Sequence, residues 1–162
     1  MKKRMTTRRI VEGAMITAIY ATLTILLAPI SYGPLQVRVS EALTVLPAFT
    51  PAAVPGLFVG CLVANMIGPY GAWDMGCGSM ATLIAAICSY LLRDHKKLVP
   101  LPPVIANGLI IGAMLHFVYG VPNLAACMAW VAIGEMIACY VLGYPLIKLF
   151  ERRPEIFGNN GE

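Results

Sequence analysis

Charged residues are scarce in this sequence. Only 12% of its 162 residues are Asp, Glu, Lys or Arg, whereas 59% are hydrophobic. A soluble domain carries about 25% charged residues. So few charges cannot cover a surface that faces water, which excludes an ordinary soluble domain and indicates that most of the surface faces lipid. We therefore expect an integral membrane protein.

Several catalytic motifs are also missing. The sequence has no phosphate-binding GxxxxGK[ST] loop, no zinc-binding HExxH and no nucleophile elbow GxSxG. It therefore has no recognisable ATPase site, and we expect a binding or transport protein rather than an enzyme.

The cysteines form no CxxC pair, and all five lie in apolar segments, where cysteine behaves as a small hydrophobic residue. They are Cys61, Cys77, Cys88, Cys127 and Cys139. We expect no disulfide framework, no metal site and no cofactor.

Six apolar segments follow one another along the chain. Their predicted bounds are residues 9–29, 40–49, 52–67, 73–92, 103–118 and 123–150. A spanning helix needs about 20 residues, so segments 40–49 and 52–67 are short, which suits helices that pack around a cavity. Ser40 is a candidate N-cap for the second helix and Glu41 a candidate first-turn acid. The sequence predicts an all-α bundle of six transmembrane helices.

The basic residues indicate the topology. Apart from Arg38, every Lys and Arg lies at the N-terminus, in the loop 93–97 or at residues 148–153. Basic residues near short membrane helices mark the cytoplasmic side, so we expect both termini in the cytoplasm. The net charge of +4 then reflects topology and not a nucleic-acid partner. We expect a basic N-terminus (1–8), a membrane domain (9–150) and a cytoplasmic tail (151–162).

Four ionisable residues lie away from the predicted cytoplasmic segments. Arg38 and Glu41 lie on the far side of the membrane, Asp74 begins the fourth segment, and Glu135 lies near the middle of the sixth. Ionisable groups inside a membrane are costly and usually face a cavity or a partner, so each is a candidate binding residue. Alternatives remain open: Arg38 and Glu41 pair with each other, Asp74 caps its helix, and Glu135 is a buried structural carboxyl group.

Other residues have both a structural and a functional interpretation. Three polar side chains in apolar segments either form hydrogen bonds between helices or contact a ligand; they are Asn65, Asn107 and His116. Three aromatic side chains belong either to an interfacial belt or to a stacking surface for a flat ligand; they are Trp73, Tyr119 and Trp130.

Small residues four positions apart permit close contact between helices. Such spacing occurs at Ala14 and Ala18, with Thr22 one turn further, and at two glycine pairs, Gly56 with Gly60 and Gly108 with Gly112.

Four blocks of sequence carry a resemblance to a known family. They are RVSEALT (residues 38–44), PGLFVGCLVAN (55–65), WD with GSMATL (73–74 and 78–83), and GE with LGYPL (134–135 and 142–146). Together they resemble the QueT family of queuosine-precursor transporters, and the similarity covers residues 9–150.

The resemblance implies the substrate-binding (S) component of an energy-coupling factor (ECF) transporter. Such a subunit is a six-helix, multi-pass protein of the prokaryotic plasma membrane that works with a transmembrane coupling subunit and two ATPases. The implied ligand is a 7-deazaguanine: queuine or its 7-aminomethyl or 7-cyano precursor. The resemblance also implies that Ala14 and Ala18 dock the coupling subunit.

The side chains suit such a ligand. A carboxylate accepts two hydrogen bonds from the N1–H and 2-amino edge of a guanine-like base; Glu135 is our first choice and Asp74 the second. A cationic aminomethyl group requires the other acid. Asn107 or Asn65 is a candidate donor to the carbonyl oxygen, and the three aromatic residues are candidates for stacking. Arg38 either orients Glu41 or holds loop 30–37 as a lid.

Three competing functions stay open at this point. The first is an S component for another flat heterocyclic vitamin. The second is an intramembrane enzyme that uses Glu135, Asp74 and His116 as acid and base. The third is a purely structural membrane protein, which leaves the charges on the far side unexplained.

Overall fold

A computed structural model of the chain describes residues 7–32, 37–69 and 71–157. These residues form helices and connecting turns, with no strand among them. We label the six principal helices α1 to α6 in chain order. They are α1 (Thr7–Leu26), α2 (Val39–Ala48), α3 (Ala53–Ile67), α4 (Gly71–Leu91), α5 (Leu101–Phe117) and α6 (Leu124–Arg152). A short helical turn, Ala28–Ser31, follows α1, and another, Pro154–Ile156, follows α6.

The predicted all-α architecture is confirmed for the described residues. Three helices, α1, α4 and α6, are long and apolar enough to cross a membrane by length and composition. The other three are apolar but shorter. That all six helices cross the membrane, and that both termini are cytoplasmic, remains a prediction.

Local sequence explains where several helices begin and end. Pro102 and Pro103 lie in the first turn of α5, where a missing N–H removes no helical hydrogen bond. Asn123 caps α6, and its side chain accepts a hydrogen bond from the backbone N–H of Ala126 at 3.2 Å. Gly68 follows α3 in an extended conformation and ends it.

Helix α2 is the buried centre of the bundle. It contacts α1, α3, α4 and α6, and eight of its ten residues are buried. It is wound as a 3-10 helix, which rises about 2.0 Å per residue where an α-helix rises about 1.5 Å. Its ten residues therefore span about 20 Å, so a short segment reaches through much of the bundle.

The predicted cap of α2 is wrong. The residue that precedes the helix is Arg38, and its side chain makes no cap hydrogen bond. Ser40 lies inside the helix, where its Oγ is 2.6 Å from Oγ1 of Thr24 on α1. Because α2 is surrounded by other helices, the Ser40 hydroxyl finds a partner on a neighbouring helix and not at its own terminus.

The glycine pairs lie where helices touch. A Cβ atom at Gly56 of α3 would lie 2.8 Å from the carbonyl oxygen of Gly13 of α1, and one at Gly60 would lie 2.9 Å from Cβ of Tyr20. A Cβ atom at Gly112 of α5 would lie 2.6 Å from Cα of Met128 of α6. The predicted close contacts are therefore made between α1 and α3 and between α5 and α6.

One end of the bundle gathers the basic segments, and we call it the basic end. Oε2 of Glu12, near the start of α1, accepts a hydrogen bond from Thr50 at 3.0 Å. Lys96, in the loop between α4 and α5, donates to the carbonyl oxygen of Ala48 at 3.0 Å, with its Nζ 4.3 Å from the centroid of the Phe49 ring. Phe150 of α6 packs against Phe49, with ring centroids 5.6 Å apart.

Arg38 precedes the other terminus of α2 and so lies at the opposite end of the bundle. The predicted lid, residues 30–37, includes residues 33–36, which lie outside the described residues, as do Lys2, Lys3 and Arg4.

The contact at Gly112 yields a prediction about stability. Gly112→Ala would force a methyl group against the α6 backbone, so we expect a cost of about 1–3 kcal/mol and a lower melting temperature in detergent. Gly76→Ala is the matched control, because a Cβ atom there meets nothing within 4 Å. Equal melting temperatures for the two variants would contradict the close packing of α5 on α6.

Candidate functional site

A buried ion pair joins the start of α2 to α4. Nη2 of Arg38 lies 2.9 Å from Oδ2 of Asp74, and the two residues are 5% and 1% exposed. The same nitrogen donates to Oδ1 of Asn65 on α3 at 3.0 Å. Nδ2 of Asn65 in turn donates to the backbone oxygen of Asp74 at 2.9 Å. Three helical segments thus meet in one group of polar contacts.

The local form of α4 makes room for this pair. Asp74 begins a π-helical stretch, Asp74–Gly78, a winding that is rare and is often found at functional sites. Gly78 ends that stretch, and a Cβ atom there would lie 2.7 Å from Nδ2 of Asn65 and 3.0 Å from Oδ1 of Asp74. Only glycine leaves the space that the pair occupies.

Two alternatives raised from the sequence are wrong. Asp74 does not cap a helix, because α4 begins at Gly71 and the Asp74 side chain binds Arg38. Arg38 and Glu41 do not pair through their side chains. The hydrogen bond between them is a backbone one, from the N–H of Glu41 to the carbonyl oxygen of Arg38 at 2.9 Å.

Glu41 is held by neutral partners. Its Oε1 accepts hydrogen bonds from the Tyr20 hydroxyl and from Oγ1 of Thr82, the latter at 3.2 Å. Oγ1 of Thr82 also lies 3.3 Å from Sγ of Cys61, and Nδ2 of Asn65 lies 3.3 Å from that same sulfur atom. Cys61 therefore connects the carboxyl group of Glu41 to the ion pair.

Glu135 reaches the same region from α6. Sγ of Cys139 lies 3.7 Å from Oε2 of Glu135 and 3.5 Å from the backbone oxygen of Glu41. Asn107 of α5 lies beside both carboxyl groups and interacts with each, although its Nδ2 makes no hydrogen bond of good geometry. We call this group the polar cluster; its members are Arg38, Glu41, Asn65, Asp74, Asn107 and Glu135.

The polar cluster carries an excess of negative groups. One guanidinium faces three carboxyl groups, and Asp74 is the one that pairs with it. Among the described residues, the ion pairs are Arg8 with Glu12 and Arg38 with Asp74, so Glu41 and Glu135 have no cationic partner there. A buried carboxylate without a cation is costly. Glu41 and Glu135 can be stabilised by protonation or by a ligand that brings N–H groups or positive charge.

Unpaired polar atoms collect in the same place. Buried polar atoms in good structures nearly always have a hydrogen-bond partner. Five buried side-chain atoms of the described residues have none, and three of them belong to the polar cluster: Nε of Arg38, Oε2 of Glu41 and Nδ2 of Asn107. They comprise two donors and one acceptor, which suits a ligand that presents both kinds of group.

Four predicted site residues lie away from the polar cluster. Trp73 and Trp130 are 59% and 53% exposed, and Tyr119 is 37% exposed. The ring of His116 contacts the backbone oxygen of Val121 at 2.8 Å through its Nδ1. The exposed positions of the two tryptophans suit an interfacial aromatic belt.

Several contact residues escaped the sequence analysis. Tyr20 and Thr82 are fully buried beside Glu41. Cys61 and Cys139, interpreted above as small hydrophobic residues, contact Asn65 and Glu135 of the polar cluster. The signal available in the sequence was weak: a tyrosine in the middle of α1 and a threonine in the middle of α4, each within an apolar run.

The polar cluster is closed in this structure, since its six members are at most 5% exposed. Three cavities lined by described residues lie elsewhere. A cavity of about 60 Å³ lies beside Tyr32, one of about 190 Å³ lies between α1 and α3, and one of about 390 Å³ lies between α4 and α5.

Comparison with known proteins gives one consistent picture. A family model described as QueT transporter matches residues 10–152. A curated relative from Lactococcus lactis subsp. cremoris (strain MG1363), named Queuosine precursor transporter QueT, is 35% identical over 98 residues. That alignment covers 59% of this chain and 57% of the relative, so the chain spans little more than half of the relative's length. No solved structure matches the chain.

The ion pair yields a prediction about folding. Asp74→Asn leaves the guanidinium of Arg38 buried without a counter-charge, so we expect a loss of about 3–5 kcal/mol, measured as resistance to chemical unfolding in detergent. The double variant Arg38→Gln with Asp74→Asn should recover part of that loss, because no charge is left alone. Arg8→Gln is the control: it removes a surface pair whose arginine is 59% exposed and should cost less than about 1 kcal/mol. A double variant no more stable than Asp74→Asn would contradict the pairing.

Proposed function

Because the chain belongs to the QueT transporter family, we propose that it captures a queuosine precursor on the outer side of a prokaryotic plasma membrane. In this proposal residues 9–150 form a six-helix membrane domain with both termini in the cytoplasm. The chain acts as the S component of an ECF importer, and partner subunits supply ATP hydrolysis. The ligand is a 7-deazaguanine: queuine or its 7-aminomethyl or 7-cyano precursor.

The observation that carries the proposal is the pair of buried carboxyl groups, Glu41 and Glu135, without a cationic partner among the described residues. A guanine-like base offers N1–H and a 2-amino group on one edge, and a carboxylate accepts both at once. Asp74 is less suited to that role, because its carboxylate is bonded to Arg38, and Glu41 is therefore the second acid. A 7-aminomethyl group, cationic near neutral pH, would neutralise the carboxyl group that the base edge leaves.

Asn107 lies beside both acids, but its Nδ2 makes no hydrogen bond of good geometry with either of them. An amide N–H at this position can donate to the carbonyl oxygen of the base. Asn65 is less suited to that task, because its amide already bonds Arg38 and the backbone of Asp74.

Entry of the ligand requires the polar cluster to open. Its members are nearly fully buried, so the helices must separate at the end of the bundle that carries Arg38. In the proposal the bonds from Arg38 to Asn65 and Asp74 keep that end closed when no ligand is present.

In the proposal, one face of α1 contacts the transmembrane coupling subunit. Ala14, Ala18 and Thr22 are all exposed there. Small side chains in a row let a helix of another subunit approach closely, and Ala14 also borders the cavity of about 190 Å³ between α1 and α3. Thr17, on the neighbouring row, bonds the backbone of Gly56 at 2.9 Å, which fixes α1 against α3.

The role of Glu135 is tested by binding. Glu135→Gln keeps the shape of the side chain but replaces an acceptor oxygen with an NH₂ group. Hydrogen bonds to charged groups contribute about 1.5–3 kcal/mol, so we expect a dissociation constant about 10- to 100-fold higher. Calorimetric titration of the purified protein with queuine and with its 7-aminomethyl and 7-cyano precursors would measure this.

Glu155→Gln is the control for that titration, because Glu155 is exposed at the basic end and should leave binding unchanged. Wild-type affinity in Glu135→Gln would contradict the site. A panel of other flat heterocyclic vitamins belongs in the same titration. Tight binding of one of them, with none of the three deazaguanines, would assign the chain another ligand.

The α1 face gives a separate prediction for transport. Ala14→Trp and Ala18→Trp should abolish ATP-driven uptake in vesicles that contain the coupling subunit and both ATPases, because a bulky ring prevents close approach. Ligand binding by the isolated variants should stay normal. Met15→Trp, at a position that is 59% exposed on the adjacent row, should transport normally. Normal uptake by both alanine variants would contradict this interface.

A further inference from the structure

The largest of the three cavities described above lies in a groove between α4 and α5, and no member of the polar cluster lines it. It has a volume of about 390 Å³, within the range of about 300–1,000 Å³ typical of small-molecule sites. Its ten lining residues are all apolar, and they come from α4, α5 and Leu92, which follows α4. Such a groove favours a hydrocarbon chain over any polar ligand.

The shape of the groove follows from helical spacing. Ile84, Cys88 and Leu92 line one wall at intervals of four residues, and Leu101, Ile105 and Leu109 line the other in the same way. Eight residues of helix rise about 12 Å. One leaflet of a bilayer has a hydrocarbon depth of about 15 Å, so the groove has the length of an acyl chain within a single leaflet.

A basic loop closes one end of the groove. Leu92 and Leu101, which line that end, are joined by residues 93–100, where Arg93 and Lys97 are exposed. Arg93 is held by its own helix: its guanidinium lies 4.6 Å from the centroid of the Tyr90 ring, and its Nη1 donates to the Tyr90 carbonyl oxygen at 3.4 Å. Asp94 is the one acid in that loop, so the end of the groove beside the loop has a positive net charge.

The other loop lysine has a different contact. Lys96 bonds the carbonyl oxygen of Ala48 and lies over the ring of Phe49, so it points into the bundle. Arg93 and Lys97 are therefore the cations best placed to meet a group that lies at the membrane surface beside the groove.

We propose that this groove binds one acyl chain of an anionic phospholipid, with the lipid phosphate against Arg93 and Lys97. The site is separate from the ligand proposed above, because none of its lining residues belongs to the polar cluster. Each basic residue near an anionic lipid surface favours it about fivefold. Contact of the phosphate with even one of the two residues should therefore give a preference of at least about fivefold for an anionic lipid over a zwitterionic one.

Native mass spectrometry tests the proposal. The full-length protein would be released from vesicles of equal dioleoylphosphatidylglycerol and dioleoylphosphatidylcholine, and the retained lipid counted. We expect phosphatidylglycerol to be retained at least about fivefold more often. The double variant Arg93→Gln with Lys97→Gln should retain lipid without that preference. Ala106→Phe, which fills the groove from α5, and Cys88→Phe, which fills it from α4, should each lose retained lipid of both kinds.

Arg152→Gln with Arg153→Gln is the matched control, because it removes two exposed cations of the same basic end away from the groove. Wild-type preference in this control supports a local headgroup site, and loss of preference equal to that of the loop variant overturns it. Equal retention of the two lipids by the wild type also overturns the proposal. Unchanged lipid retention in both phenylalanine variants overturns it as well. The proposal is also overturned if the wild type forms a dimer without bound lipid and either phenylalanine variant disrupts that dimer, because the groove would then bind a second copy of the chain.

Discussion

A guanidinium and a carboxylate can be buried together in apolar surroundings only if each meets its partner and the remaining hydrogen bonds are satisfied. Arg38 and Asp74 meet the first of these conditions at 2.9 Å, while Nε of Arg38 still lacks a hydrogen-bond partner. Asn65 bonds both residues, and Gly78 leaves the space they need. Because these residues come from α3, α4 and the start of α2, those segments cannot shift independently without exposing a buried charge. The arrangement of the other acids is built on this contact.

Much of the fold was accessible from the sequence, because it follows from hydropathy and from proline and glycine. Six apolar runs gave helices whose ends agree with the structure within a few residues, as at α3 (predicted 52–67, observed Ala53–Ile67). The 3-10 winding of α2 and the π-helical stretches Asp74–Gly78 and Ile137–Gly143 were not predicted. They depend on tertiary packing, and they decide which way Ser40 and Asp74 face.

The candidate site divides in the same way. Charged residues in an apolar run stand out because their burial is costly, so Arg38, Glu41, Asp74 and Glu135 could be selected by inspection. Which of them pair could not be predicted, since that depends on helix rotation. Neutral partners such as Tyr20 and Thr82 are inexpensive to bury in a helix, so nothing in the sequence separated them from ordinary packing residues. The contacts of Cys61 and Cys139 could not be predicted either, because cysteine is also common in apolar helices.

Helix α2 is fastened at both of its termini. At one terminus Arg38 bonds residues of α3 and α4. At the other, Lys96 donates a hydrogen bond to the carbonyl oxygen of Ala48 and lies over the ring of Phe49. In mechanical terms this segment is a strut that runs through the bundle between two clamps. A displacement of its Arg38 terminus is either taken up by compression of the 3-10 turns or transmitted to the Phe49 terminus, where Phe157 stacks on the Phe49 ring and Phe150 meets that ring edge to face.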